Sequence, residues 1–120
     1  MEYLRTPDSR FNNLKDYPFT PNYISIDGFR MHYVREGSLT SPTVLLLHGE
    51  PTWSYLYRKM IPLLTKAGFQ VVAPDLIGFG KSDKPISSRA YTYARHIEWL
   101  NSFIKILDLK DITVFFQDWG

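Results

Sequence analysis

The 120-residue sequence contains no cysteine, which removes disulfides, thiolate catalysis and cysteine-based zinc sites together. It also lacks any apolar run approaching the roughly 18 residues of a membrane span. Residues Met1 to Arg10 carry charge and Pro7 where a signal peptide needs an apolar core. Long blocks of one charge are missing too: 14 Lys and Arg are scattered among 12 acids, for a net charge of +2. Nothing forms a basic stripe for nucleic acid or a block for anionic membranes. None of the 3 histidines makes the i, i+4 pairing of a zinc helix, so no metal site is expected. Gly78 to Asp83 reads G-F-G-K-S-D, without the third glycine of a dinucleotide loop, and Lys81-Ser82 lacks the glycine spacing of a phosphate loop. These absences point to a cytoplasmic protein with a small or neutral substrate, without nucleic acid or membrane partner.

What is present suffices for the core of one domain at most, with 44% hydrophobic and 16% aromatic residues. Residues 1–21 hold Phe11, Tyr17, Pro18, Phe19 and Pro21 without a period, and read as an extended arm over the surface of a core unit spanning 22–120. Tyr23–Ile26 and Phe29–Val34 flank Asp27-Gly28, a strong hairpin signal. His32 falls in alternation on the second arm, the pattern of a surface or satisfied core residue.

Thr43–Leu47 is apolar without alternation, as in a parallel strand buried on both faces. Ser54 to Ala67 predicts a helix with Leu56, Met60, Leu63, Leu64 and Ala67 inward, bent by Pro62 and stopped by Gly68. Phe69–Leu76 is a second buried-type strand. Tyr91–Leu107 predicts another helix, with the stripe Tyr93, Ile97, Leu100, Ile104 and Leu107 inward and His96 on the exposed flank. Ile112 opens the last strand. The order of hairpin, strand, helix, strand, helix, strand, with the three later strands parallel, defines an open α/β sheet.

Ligands of such sheets sit beyond the carboxyl ends of the strands, where His48 to Trp53, Leu76 to Pro85 and Asp118 to Gly120 are expected to meet. Asp118 directly follows a β-branched and aromatic strand and precedes Gly120. Two readings are open: a nucleophile pushed out of the sheet by a strand-to-helix turn, or a strand ending beside a helix cap.

Three stretches carry a resemblance that bears on this choice. They are His48-Gly49-Glu50-Pro51-Thr52-Trp53-Ser54-Tyr55-Leu56-Tyr57-Arg58, Pro74 to Pro85 (P-D-L-I-G-F-G-K-S-D-K-P) and Gln117-Asp118-Trp119-Gly120. In this order they resemble the haloalkane dehalogenases of the α/β-hydrolase fold, from about Tyr23 to the end. Glu50 in the first loop and Gln117 before the aspartate are most similar to the branch that binds halide with two tryptophans. Phe116 departs from the small residue usual two positions before the nucleophile.

The resemblance implies that Asp118 attacks the halogen-bearing carbon to form an alkyl-enzyme ester. An indole N–H can only donate, so Trp119 would hold the leaving halide; its other reading is an aromatic packed under a cap. Backbone N–H groups of Trp119 and Glu50 would stabilise the oxyanion of ester hydrolysis, and the Glu50 side chain would position the attacking water. His48 would shape its loop instead of serving as base. The base histidine, second acid, cap and second halide-binding tryptophan come later in this family than residue 120. The 120 residues alone are therefore expected to be inactive, with the last strand left as an apolar edge. The rival readings are an epoxide hydrolase, a luciferase-like oxygenase, and a non-catalytic binding module of the same fold.

Overall fold

The computed structural model describes residues 2–49, 52–87 and 92–117. In chain order the strands are β1 (Tyr3–Leu4), β2 (Asn22–Ile26), β3 (Phe29–Glu36), β4 (Thr43–Leu47), β5 (Gln70–Pro74), β6 (Lys84–Pro85) and β7 (Thr113–Phe116). The α-helices are α1 (Met60–Lys66) and α2 (Tyr93–Ile106), and short 3-10 turns cover Asp8–Phe11 and Ser54–Tyr57. Five strands form the main sheet in the order β2-β3-β5-β4-β7, while β1 pairs with β6 outside it.

Asp27 and Gly28, both at positive φ (53° and 82°), make the two-residue turn that joins β2 to β3 in antiparallel register, Ile26 facing Phe29. β3 runs antiparallel to β5, whereas β4 is parallel to both β5 and β7. The mixed sheet with an N-terminal hairpin and three parallel strands is the expected one. All five residues of β4, and all five of β5, are buried, which is why neither shows a two-residue hydrophobic period.

Alternate side chains of these strands feed two cores. Leu45, Leu47 and Val72 pack with Phe29, Met31, Trp99 and Phe103 beneath α2. Val44, Leu46, Val71 and Ala73 pack with Ile61 and Tyr57 beneath α1, joined by Tyr17 from the N-terminal arm. Each fully buried large apolar side chain contributes about 1.5–3 kcal/mol.

Both helices depart from their sequence expectation. Ser54 to Ala67 is not one bent helix: a 3-10 turn ends at Tyr57 and α1 begins at Met60. Pro62 has no N–H to offer the Arg58 carbonyl, which opens the ladder at that point; with a 3-10 turn upstream the α-helix starts afresh, with Pro62 in its first turn, where no N–H is needed. Ile61 and Tyr57 face the core, while Leu63 is 69% exposed. Gly68 does end the helix, its N–H donating to the Thr65 carbonyl and Phe69 N–H to that of Leu64. In α2 the buried residues are Trp99 and Phe103, with Leu100, Ile104 and Leu107 beside them. Tyr93 and Ile97 of the expected stripe are exposed. The Thr92 side chain caps the helix by accepting the Arg95 N–H at 3.1 Å. His96 is not solvated on an open flank, since its ring meets those of Trp99 (5.3 Å) and Phe79 (6.4 Å) and it is half-buried.

Val114, Phe115 and Phe116 on β7 are exposed, the last of them at 61%. No helix among the described residues is long and apolar enough to cross a membrane.

Candidate active site at the carboxyl ends of the parallel strands

Parallel pairing aligns the ends of β4 and β7. Leu47 faces Phe116, and the Gln117 N–H donates to the Leu47 carbonyl at 3.2 Å. The stretch after β7 therefore starts directly beside His48. Asp118, Trp119 and Glu50 lie outside the described residues; their neighbours Gln117, Gly49 and Thr52 lie within them. The second segment, from Leu76, reaches the first through a direct bond, Leu76 N–H to His48 Nε2 at 3.0 Å.

That bond settles the state of His48. A backbone amide can only donate, so Nε2 must accept, leaving the proton on Nδ1, which lies 2.9 Å from the Gly49 carbonyl oxygen. Burial lowers the ring's pKa, opposed by the Gly49 bond and the charge of Asp75. His48 is thus a neutral ring with both nitrogens committed to the backbone, unfit as a base and suited to shaping its loop. Thr52 closes the same loop, donating to the Gly49 carbonyl from its N–H (3.0 Å) and its hydroxyl (2.6 Å).

Asp75, just beyond β5, joins more segments than its place in the sequence suggests. Its fully buried carboxylate accepts the Ser54 N–H on Oδ1 (2.7 Å), and on Oδ2 the His32 Nδ1 (2.8 Å) and the Lys81 N–H (2.9 Å). Burial alone would raise its pKa, yet the bond and charge of His32 and the two amides outweigh this and hold it below the ordinary carboxylate value. His32 is accordingly a core residue with a partner. Ser82 is buried between the same strands, accepting the His32 N–H at 2.9 Å and donating to the Asp75 carbonyl at 2.5 Å. This excludes it from phosphate binding. The signal in the sequence was a carboxylate directly after an unbroken buried strand: such a group must find donors.

The N-terminal arm is fastened onto these loops. Arg5 grips the buried Asp83 with two bonds, Nε to Oδ1 at 2.6 Å and Nη2 to Oδ2 at 2.7 Å, and the Arg30 N–H adds a third at 2.8 Å. Burial opposes the charged form of Asp83, but Arg5 and the Arg30 amide prevail and depress its pKa. Tyr17 bonds Ser54 through their hydroxyls (2.6 Å), and Tyr55 donates to the Lys15 carbonyl (2.9 Å). The Lys81 ammonium lies 5.3 Å from the ring centroids of both Phe11 and Tyr17, a cation–π arrangement that faces it toward the N-terminal arm.

Because Asp75 and Asp83 have depressed folded pKa values, the unfolded chain takes up their protons first as pH falls. Their stabilisation is complete above the ordinary value of 3.8 and is lost as pH drops through the lower folded values. Urea midpoints of the full-length protein should hold level above that value and fall below it, and Asp83→Asn should flatten the fall. A midpoint that rises on acidification would contradict the assignment.

Among the described residues no three His, Asp or Glu side chains form a metal cluster. An open groove of about 620 Å³ beside α1 shares no residue with His48 to Trp53, Leu76 to Pro85 or Asp118 to Gly120, and its charges, Asp16 and Glu36 against Arg58 and Lys59, balance.

Against known proteins, residues 42–120 match a family model described as the alpha/beta hydrolase fold. A haloalkane dehalogenase of Psychrobacter cryohalolentis is 58% identical over the whole chain, which covers 41% of that protein. The solved haloalkane dehalogenase DpaA from Paraglaciecola agarilytica superposes with a TM-score of 0.96 at 51% identity, covering all of this chain and 42% of its own. A Vigna radiata epoxide hydrolase variant is further away, with a TM-score of 0.78 and 32% identity over 86% of this chain and 32% of its own. The chain thus spans about two fifths of the length of the dehalogenases it matches.

Proposed function

The chain belongs to the α/β-hydrolase fold family, and on that premise we propose that it carries the nucleophile half of a haloalkane dehalogenase, which hydrolyses a carbon–halogen bond to alcohol, halide and a proton. The observation that carries this reading is the 58% identity to such an enzyme sustained from end to end. A second reading, an epoxide hydrolase, is supported by the more distant likeness at 32% identity and ranks behind it.

In the proposed chemistry the ionised Asp118 attacks a saturated carbon in line and opposite the halogen; the carbon–halogen bond breaks and the halide leaves with its electron pair. A saturated centre offers no carbonyl to polarise, so an ionised carboxylate suits it better than a hydroxyl needing activation. The halide gathers charge, and the donor-only indole N–H of Trp119 matches that need in a dry site. Water then attacks the ester carbonyl, positioned by Glu50, while backbone N–H groups of Glu50 and Trp119 hold the oxyanion. Two carboxyl groups close together do not both ionise freely, and a proton shared between them belongs on Glu50, since Asp118 must be charged to attack. The histidine base, its acid partner and the cap fall in the part of the dehalogenases that this chain does not span, so the remainder of the core is a required partner. Neither a metal nor an organic cofactor enters any of these steps. A cytoplasmic location is part of the same proposal, and the cysteine-free composition is compatible with a reducing compartment.

The test is incubation of the full-length protein with a short 1-bromoalkane, with halide and alcohol measured together and the acid-quenched protein weighed intact. Equimolar bromide and alcohol, and a mass gain of one alkyl group mapped to the peptide containing Asp118, are expected. Ring opening of an epoxide without any release of bromide would replace this reading with the second.

A further inference from the structure

The segment from His48 to Ser54, which carries Glu50, is fastened at each end by a different device. At its start the His48 ring bridges Gly49 and Leu76. At its end the Ser54 amide donates to Asp75 Oδ1, and the same carboxylate takes His32 Nδ1 and the Lys81 amide on Oδ2. One side chain thereby ties the loop after β4 to the loop after β5 and to β3. All three groups facing it are donors, so a neutral amide in its place would set its own NH₂ against a donor. A buried carboxylate is costly unless such donors meet it, and the donors then fix their segments in place.

We propose that Asp75 is a positioning residue for the hydrolytic half of the reaction: by holding the Ser54 amide it sets the path of residues 49–53, and with it the place of Glu50 relative to the ester on Asp118. The inference rests on the dehalogenase reading and deepens it. The two halves make different demands. Alkylation needs Asp118 and a halide donor, both carried by the stretch after β7, whereas the partners of the Asp75 carboxylate among the described residues are His32, Ser54 and Lys81. Hydrolysis needs the Glu50 side. Water adds to the ester carbonyl, one of its protons passes to the histidine base of the full-length enzyme, and the intermediate collapses by breaking its bond to the alkoxy oxygen. That oxygen takes the proton back from the histidine and leaves as alcohol, while the other water proton goes to solvent as the Asp118 carboxylate is restored. Oxyanion donors act within about 2.7–3.1 Å, and a displacement of about 1 Å costs on the order of a hundredfold. Loosening Asp75 is therefore felt in one step and not the other.

Rapid-quench kinetics of full-length Asp75→Asn with a short 1-bromoalkane test this. Ester hydrolysis is expected to slow by about tenfold or more, with alkylation changed by less than about threefold, so that the ester accumulates. A merely structural role slows both steps alike, and that result would overturn the proposal. Ser54→Pro keeps the test decisive where Asp75→Asn does not fold. It removes the amide hydrogen and the hydroxyl at the head of the 3-10 turn and sets the ring Cδ toward Asp75 Oδ1, so the carboxylate loses this donor and draws back. Trp53 (φ −158°, ψ −175°) already has the extended backbone that a following proline requires. Ser54→Ala, which keeps that amide and loses only the bond to Tyr17, serves as its control. Ester accumulation in Ser54→Pro but not in Ser54→Ala supports the proposal; one shared phenotype refutes it. If the unaltered enzyme forms no ester at all, the dehalogenase reading falls first and takes the inference with it.

Discussion

Asp118→Asn in the full-length protein is expected to lower halide release from a short bromoalkane by about 10⁴-fold or more, which corresponds to about 5.5 kcal/mol of lost transition-state stabilisation. The size follows from the chemistry. Displacement at a saturated carbon draws its driving force from the nucleophile's own electron pair, and an amide oxygen is neutral and weakly nucleophilic where a carboxylate is charged. Shape and burial barely change, so substrate binding should survive while the burst of bromide disappears. The hazard is slow deamidation, which restores aspartate; the gain of about one mass unit on the peptide containing position 118 monitors it. Turnover above about a tenth of the unaltered rate, in protein shown to retain the side-chain amide at that position, would end the nucleophile assignment.

Gly80→Ala is expected to destabilise the full-length protein by about 3 kcal/mol or more, against about 1 kcal/mol for Gly28→Ala. Backbone angle does not make the difference. Gly80 has φ +52°, close to the values at which Asn13, Asp16 and Asp108 already sit, whereas Gly28 lies further out at +82°. Space does. A Cβ on Gly80 would stand 2.6 Å from Asp75 Oδ2 and 2.7 Å from Trp53 Cβ, while one on Gly28 would meet nothing within 4 Å. The carboxylate cannot retreat without releasing His32 or Lys81, and Trp53 is wedged between Phe11 and Tyr17 at ring-centroid distances of 5.4 and 5.3 Å. Thermal melts of the two variants side by side give the comparison. Equal losses would mean that the close approach around Asp75 yields more readily than this packing allows.

Much of this architecture could be read from residue types because it depended on local chemistry. Asp27-Gly28 suits a turn needing two positive φ angles, and the unalternating runs Thr43–Leu47 and Gln70–Pro74 belong where both faces of a strand are covered. The helices were less legible. The aliphatic stripe of α2 satisfied the helical period, but Trp99 and Phe103, four residues apart, bury more surface and turned the helix toward themselves. Pro62 disrupts a helix on sequence grounds; whether it bends the helix or restarts it depends on what lies upstream, and here that is a 3-10 turn. At the site, strand direction alone led to the meeting of His48 with Leu76, while the third expected segment, Asp118 to Gly120, lies outside the described residues; the His48 loop role agrees with its two backbone bonds. For Asp75 the sequence signals only a buried carboxylate in need of donors; which donors is not legible, because they come from residues 32, 54 and 81 and no spacing rule links these positions.

The fastening of the N-terminal arm also bears on the order in which the molecule assembles. Arg5 finds its partner 78 residues later in the chain, Lys15 waits for Tyr55, and β1 pairs with β6. The clasp of Arg5 on Asp83 cannot form on the ribosome until the polypeptide has been made through that aspartate, and each of these contacts closes a long loop at an entropic cost that the hairpin at Asp27-Gly28 does not face. The hairpin and the strands beside it can form a platform first. The arm, although synthesised before the loops it covers, makes these contacts only with loops already in place, and holds Trp53 and Lys81 beneath it.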